Sequence, residues 1–322
     1  MIRRPPRSTL DRSSAASDVY KRQEDADKIL SHIDIDLPET ALLKNQMMML
    51  DILANNDWER PIYFTGGSYS DSEYIWMKKY LQLEGLVYKL VPIETNLGKE
   101  NPYLMGRIDS DLMYDIVLNW NWGNSERTDI YHDPETRKNS ISFRSNMARL
   151  AEQLINENKT EKAKKVMDLA IEKMPLDYFG YYSLLVPFVD GYYRINDVKV
   201  AQGLSKKIGY KYFDRLEYFN SLSAERQYEL GEEIVTEIER YRSLIEAELK
   251  HADKSDLKPS LNNFTTAIRP FKYLYGDYEF YTNLVDVAEG FFIIGDIQSA
   301  QNLSIQIANE YSERMEMYAQ FH

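Results

Sequence analysis

The chain has 322 residues, 43% hydrophobic and 28% charged, with a formal net charge of −12 and no cysteine. A chain of this length exceeds what one hydrophobic core usually organises, and its acidity, with no basic stripe interleaved with aromatics, argues against a phosphate-backbone partner. The missing thiols exclude disulfides, thiolate catalysis and cysteine zinc sites, and no run of about 18 apolar residues is present to cross a bilayer as a helix.

The opening stretch, MIRRPPRSTLDRSSAASDVYKRQ, sets Arg3, Arg4, Arg7, Arg12, Lys21 and Arg22 against only Asp11 and Asp18. It has too little apolar surface to offset the entropy of ordering it and lacks the apolar core of a signal peptide, which predicts a disordered leader over residues 1–23. In HIDIDLPE, Asp34 and Asp36 have the spacing of a calcium loop, but the glycine and distal glutamate of such a loop are missing, and the stretch reads as the end of a truncated strand. Leu42, Leu43, Met47, Leu50 and Leu53 recur at helical spacing before NND, and Ile62 to Phe64 then form a short apolar run. A second helix is predicted near 73–83, with Gly85 as its stop and a strand at Leu86 to Val91 ended by Pro92. Residues 37–93 therefore read as part of an α/β layer with two strands visible. From 94 to about 140 the sequence predicts a short helix near 109–118 and then a long connector.

From Ser142 onward the pattern is helical almost throughout, and it repeats. A helix-turn-helix unit of about 34 residues places Ala151, Ala163 and Ala170 where its two helices approach most closely and Pro175 near its end, with NENKT as the turn. A second unit aligns Val189, Tyr192 and Ala201 around RIND, and a third aligns Ala288, Phe291 and Ala300 around IGD. Residues 214–275 supply helices that fit no clean repeat. The expected fold is mainly α, a partial α/β layer followed by a tetratricopeptide-like helical repeat domain, divided as 1–23, 24–140 and 141–322.

Chemistry-bearing patterns are sparse. Gly66 and Gly67 stand between a strand and a helix, where backbone amides can cradle an anion, but neither GxGxxG nor GxxxxGK[ST] is present, and a tight turn capped by Ser70 or Ser72 is the simpler reading. The histidines His32, His132, His251 and His322 are too scattered for a zincin site. His132, Asp133 and Glu135 have ligand chemistry, yet Asp-Pro more simply starts a turn with Arg137 pairing a carboxylate. The sequence assigns no catalytic, cofactor or metal residue. The 25 tyrosines cluster, and Tyr178, Tyr181, Tyr182, Tyr192 and Tyr193 form the candidate binding surface, suited to a peptide or a sugar; interhelix packing is the competing explanation.

Three passages, ALLKNQMMMLDILANNDWERPIYF, YLQLEGLVYKLVPIE and WGNSERTDIYHDPETR running into FRSNMARLAEQLI, together resemble the C-terminal region of a bacterial multispanning membrane family. That family is known as a domain of unknown function or as protein O-mannosyltransferase-like glycosyltransferases. The resemblance covers roughly residues 30–200. It implies a longer protein with an N-terminal bundle of membrane helices, followed by an extracytoplasmic, periplasmic portion ending in tetratricopeptide-like repeats. The catalytic acid of such enzymes lies in an early loop with no counterpart here, so the resemblance implies a non-catalytic docking or substrate-presenting module whose partner is a protein or peptide. The alternative is a free-standing tetratricopeptide adaptor in the cytoplasm. Residues 1–23 resemble translated sequencing-adapter read-through.

Overall fold

Strands are confined to the part of the chain before residue 109, and from there on every regular element is a helix among the residues that the computed structural model describes: 2–3, 23–30, 32–35, 42–56, 58, 60–65, 74–97, 105–253, 256–274 and 277–319. The chain divides into two compact units, Met1–Ser125 with Ser145–Leu154, and Glu126–Arg144 with Ile155–His322.

In the first unit, β1 (Ile2–Arg3) and β2 (His32–Ile33) pair antiparallel, Ile2 opposite Ile33 and Arg3 opposite His32. Helix α1 spans Lys44–Asn55, where the apolar spacing predicts it, although only Leu53 is buried; Leu43 and Met47 of the predicted apolar face are exposed. Four further strands follow: β3 (Tyr63–Thr65), β4 (Leu81–Glu84), β5 (Val87–Leu90) and β6 (Arg107–Ile108). They form one mixed sheet in the order β3-β5-β4-β6, antiparallel except for the parallel pair β4/β6.

The sheet corrects the expected helix over 73–83. Only Ile75–Tyr80 is helical, as a tight 3-10 turn, and Leu81–Glu84 is a strand that turns at Gly85 and Leu86 into β5. Leu81, Gln82 and Leu83 are all buried, so this strand has no solvent face and no polar alternation to distinguish it from a helix in sequence. Gly106 admits β6 to the sheet. Its φ is +65°, and a Cβ there would lie 2.1 Å from the Leu81 carbonyl oxygen. Helix α2 (Ser110–Leu118) matches its prediction and is capped by the Asp109 carboxylate, which accepts from Leu112 N.

The remaining helices are α3 (Pro134–Lys138), α4 (Ser140–Asn156), α5 (Thr160–Lys173), α6 (Leu176–Phe179), α7 (Val186–Arg194) and α8 (Val198–Asn220). They continue as α9 (Ala224–Glu229), α10 (Gly231–Leu249), α11 (Lys258–Ile268), α12 (Asp277–Ile293) and α13 (Ile297–Ala319). Residues 145–154 of α4 hold to the first unit: Asn146 donates to the Gly85 carbonyl, and Arg149 donates to the Tyr88 hydroxyl and the Met105 carbonyl.

The three turns that the sequence marks as NENKT, RIND and IGD share one geometry. Each carries a left-handed residue two positions before the next helix: Asn158 (φ 60), Asn196 (φ 65) and Gly295 (φ 79). Each of these donates its amide to the carbonyl three residues back, on Ile155, Tyr193 and Phe292. In the last two turns the following aspartate amide also reaches back five residues, Asp197 to Tyr192 and Asp296 to Phe291. The small residues predicted for close helix approach, Ala163, Ala170, Ala201 and Ala300, are buried.

Candidate functional site

Within the second unit, a cleft of about 430 Å³ opens between the end of α6 and helices α3, α8 and α10. Its lining includes Tyr181 and Tyr182 from the predicted surface, together with Arg137, Arg215, Glu237 and Arg240.

The floor is an unusual turn held by a buried cation. Gly180 ends α6 at φ 66, ψ −140, a conformation essentially restricted to glycine, and Tyr181 follows in the left-handed region at φ 46, ψ 43. Arg144 lies fully buried beneath them. Its Nη2 donates to the Met174 carbonyl (2.7 Å), and its Nη1 donates to the carbonyls of Gly180 and Tyr181. Among the described residues Arg144 makes no ion pair. It is stabilised by carbonyl dipoles at the C-terminal ends of α5 and α6, where a cation is favoured. Burial still lowers its pKa to about 10.

The walls are charged. Glu237, 2% exposed, accepts from the Tyr182 hydroxyl (3.0 Å) and from Arg240 Nη1 (2.9 Å), with Arg215 Nε 3.9 Å away. Burial, and secondarily the Glu237 carboxylate, push the Tyr182 hydroxyl up to about 12, so it remains a donor at any physiological pH. Arg215 also pairs with Glu233 on α10. Arg137 makes no ion pair among the described residues. Its guanidinium sits over the Tyr178 ring, its Nη1 reaches the Tyr178 carbonyl at 3.4 Å, and its buried Nε has no partner among the described residues. The expected pairing of Arg137 with a carboxylate is replaced by this stacking. Three guanidinium groups thus face the cleft against one carboxylate.

Tyr178 braces the connector: its hydroxyl donates to the Ile130 carbonyl and accepts from the His132 amide, both at 2.7 Å. The His132 ring packs on Tyr178 and Phe179, while Asp133 caps α3 by accepting from the amides of Glu135 and Thr136, as the Asp-Pro reading requires. Tyr192 and Tyr193 lie elsewhere. Both are fully buried, Tyr192 donating to Asp168 (2.7 Å) and Tyr193 stacking on His251, whose Nε2 is 2.9 Å from Asp190. These two rings belong to helix packing, and the accessible part of the predicted tyrosine surface is Tyr181 with the edges of Tyr178 and Tyr182. The arginines escaped the sequence reading because they are spread from position 137 to 240 with no local spacing to mark them.

Of the other sequence candidates, Asp34 pairs with His32 at 3.2 Å, whereas Asp36, Gly66, Gly67, Ser70, Ser72 and most of the 1–23 leader lie outside the described residues. No group of three metal-ligating side chains occurs among the described residues, and no helix there is long and apolar enough to cross a membrane.

A family model, TMEM260-associated domain 2, matches residues 7–112, about a third of the chain. That stretch is therefore similar to a domain of a TMEM260-related membrane-protein family; it begins inside the basic leader and ends within α2. No curated protein and no solved structure matches the chain.

Proposed function

We propose that this chain is a non-catalytic, extracytoplasmic docking or substrate-presenting module of a protein O-mannosyltransferase-like membrane glycosyltransferase, and that its helical unit receives an acidic segment of a protein partner in the arginine-lined cleft. The match over residues 7–112 supports the association with a membrane-protein family. The binding mode is carried by one observation: three guanidinium groups face a cleft that holds a single carboxylate, in a chain whose net charge is −12. Arginine pairs carboxylates bidentately, and the tyrosines beside it add rigid contact area at low entropic cost. The shared turn geometry of the three helical hairpins supports tetratricopeptide-like repeats as the scaffold.

The test is fluorescence anisotropy with a labelled peptide of alternating glutamate and alanine against its glutamine counterpart. The glutamate peptide should bind saturably and lose affinity as salt rises. Combined Arg137→Ala and Arg240→Ala should weaken it at least about tenfold, the loss of one charge-assisted contact. Equal binding of both peptides, or indifference to the substitutions, refutes the acidic-ligand reading. Recovering the intact gene tests the parent protein: in-frame runs of about 20 apolar residues support it, and their absence favours the free-standing tetratricopeptide adaptor.

A further inference from the structure

A second cavity of about 480 Å³, separate from the arginine cleft, lies where α8, α10 and α11 converge. Its walls include Tyr210, Phe213, Tyr241 and Leu244, and its polar lining includes Ser205 from α8, Glu248 from α10 and Ser260 from α11. Glu248 is 4% exposed and Ser205 is 2% exposed. Among the described residues Glu248 Oε2 and Ser205 Oγ both lack a hydrogen-bond partner, and buried polar atoms left unpaired are rare enough to require a reason. Burial raises the Glu248 pKa. The rim carries one charge of each sign, Lys206 and Asp256, and neither makes an ion pair among the described residues.

We infer that this cavity is a binding site for a primary alkylammonium group, with Glu248, Ser205 and Ser260 as its three acceptors and the rings of Tyr210, Phe213 and Tyr241 around the alkyl stem. The stoichiometry of donors carries the choice. A primary ammonium offers three N–H donors and no acceptor, which matches one carboxylate oxygen and two hydroxyls. An ammonium also neutralises the buried carboxylate, and aromatic faces attract it through their quadrupoles. A neutral hydroxylated ligand such as a sugar forms no charge-assisted contact with Glu248, whereas an ammonium favours its ionised form and pairs with it.

The experiment is thermal unfolding and calorimetric titration of the full chain with N-acetyl-lysine methylamide and with pentylamine. The neutral controls are N-acetyl-norleucine methylamide, pentanol and methyl glucoside. The amines should raise the melting temperature saturably and the controls should not, and Glu248→Gln should weaken amine binding at least about tenfold. Binding of both amines shows that a free ammonium suffices; binding of the lysine amide alone assigns the site to a lysine presented on a polypeptide. Equal effects of the norleucine amide or pentanol, a preference for the glucoside, or amine binding indifferent to Glu248→Gln would overturn the inference. Should Glu248→Gln fail to fold, Gly209→Ala serves instead. Its added Cβ meets Leu244 and Tyr241 at 3.7 Å, an ordinary contact that keeps the fold while narrowing the cavity, so amine affinity must fall there too.

Discussion

Arg144 shows how one side chain fixes a surface. Its guanidinium is wholly buried; among the described residues its two Nη atoms donate to the carbonyls of Met174, Gly180 and Tyr181, and its Nε has no partner. Arg144→Met keeps the volume but leaves those carbonyls without a donor, each buried unpaired group costing about 1–3 kcal/mol, while removing the desolvation cost of the charge. The net expectation is a loss of about 2–4 kcal/mol in urea unfolding. Arg144→Lys should recover only part of it, because an ammonium is a point charge and cannot span three carbonyls as a planar fork does. An unchanged midpoint for Arg144→Met would refute this role. None of it was legible in the sequence, where Arg144 is one basic residue in a helical run.

At the scale of elements, periodicity marks some segments in the sequence and is physically absent from others. Helix α1, strand β3 and helix α2 fall where periodicity and punctuation place them, and NENKT, RIND and IGD are turns because asparagine and glycine accept the left-handed conformation. The hairpin β4/β5 was read as helix then strand because burial on both faces erases alternation. Strand β6 was missed entirely, since two residues give no period. Its position depends on Gly106, so Gly106→Ala should cost more than about 2 kcal/mol by combining a left-handed backbone with a collision at Leu81. Retention of wild-type stability, measured by denaturant unfolding, would mean that β6 is not held against β4. In the candidate site, tyrosine clustering led to Tyr181 and Tyr182, but the same clustering also picked out Tyr192 and Tyr193. Sequence does not distinguish a ring facing a cleft from one filling the space between helices.

At the scale of the whole chain, the two units are interleaved in sequence, because residues 145–154 of α4 group with Met1–Ser125. A piece beginning at Glu126 contains every residue lining the arginine cleft, and it should be helical and retain acidic-peptide binding. It also carries Met147, Leu150 and Leu154, all fully buried, on the segment whose partners at Gly85, Tyr88 and Met105 are then missing. The expected result is a folded but self-associating piece by size-exclusion chromatography, since newly exposed apolar surface drives association. A monodisperse monomer would show that the 145–154 segment needs no cover, and loss of helix would show that the second unit does not fold alone.

The buried fork of Arg144 also sets an order of events. Gly180 and Tyr181 stand 36 and 37 positions further along the chain, and their backbone conformations are unfavourable until the guanidinium is in place. A contact that closes so long a loop onto a high-energy turn belongs to the descent from the folding barrier rather than the climb. Substituting Arg144 should then steepen escape from the native basin while leaving the rate of reaching it almost untouched. The floor of the cleft should then be the last part of the helical unit to set and the first to let go.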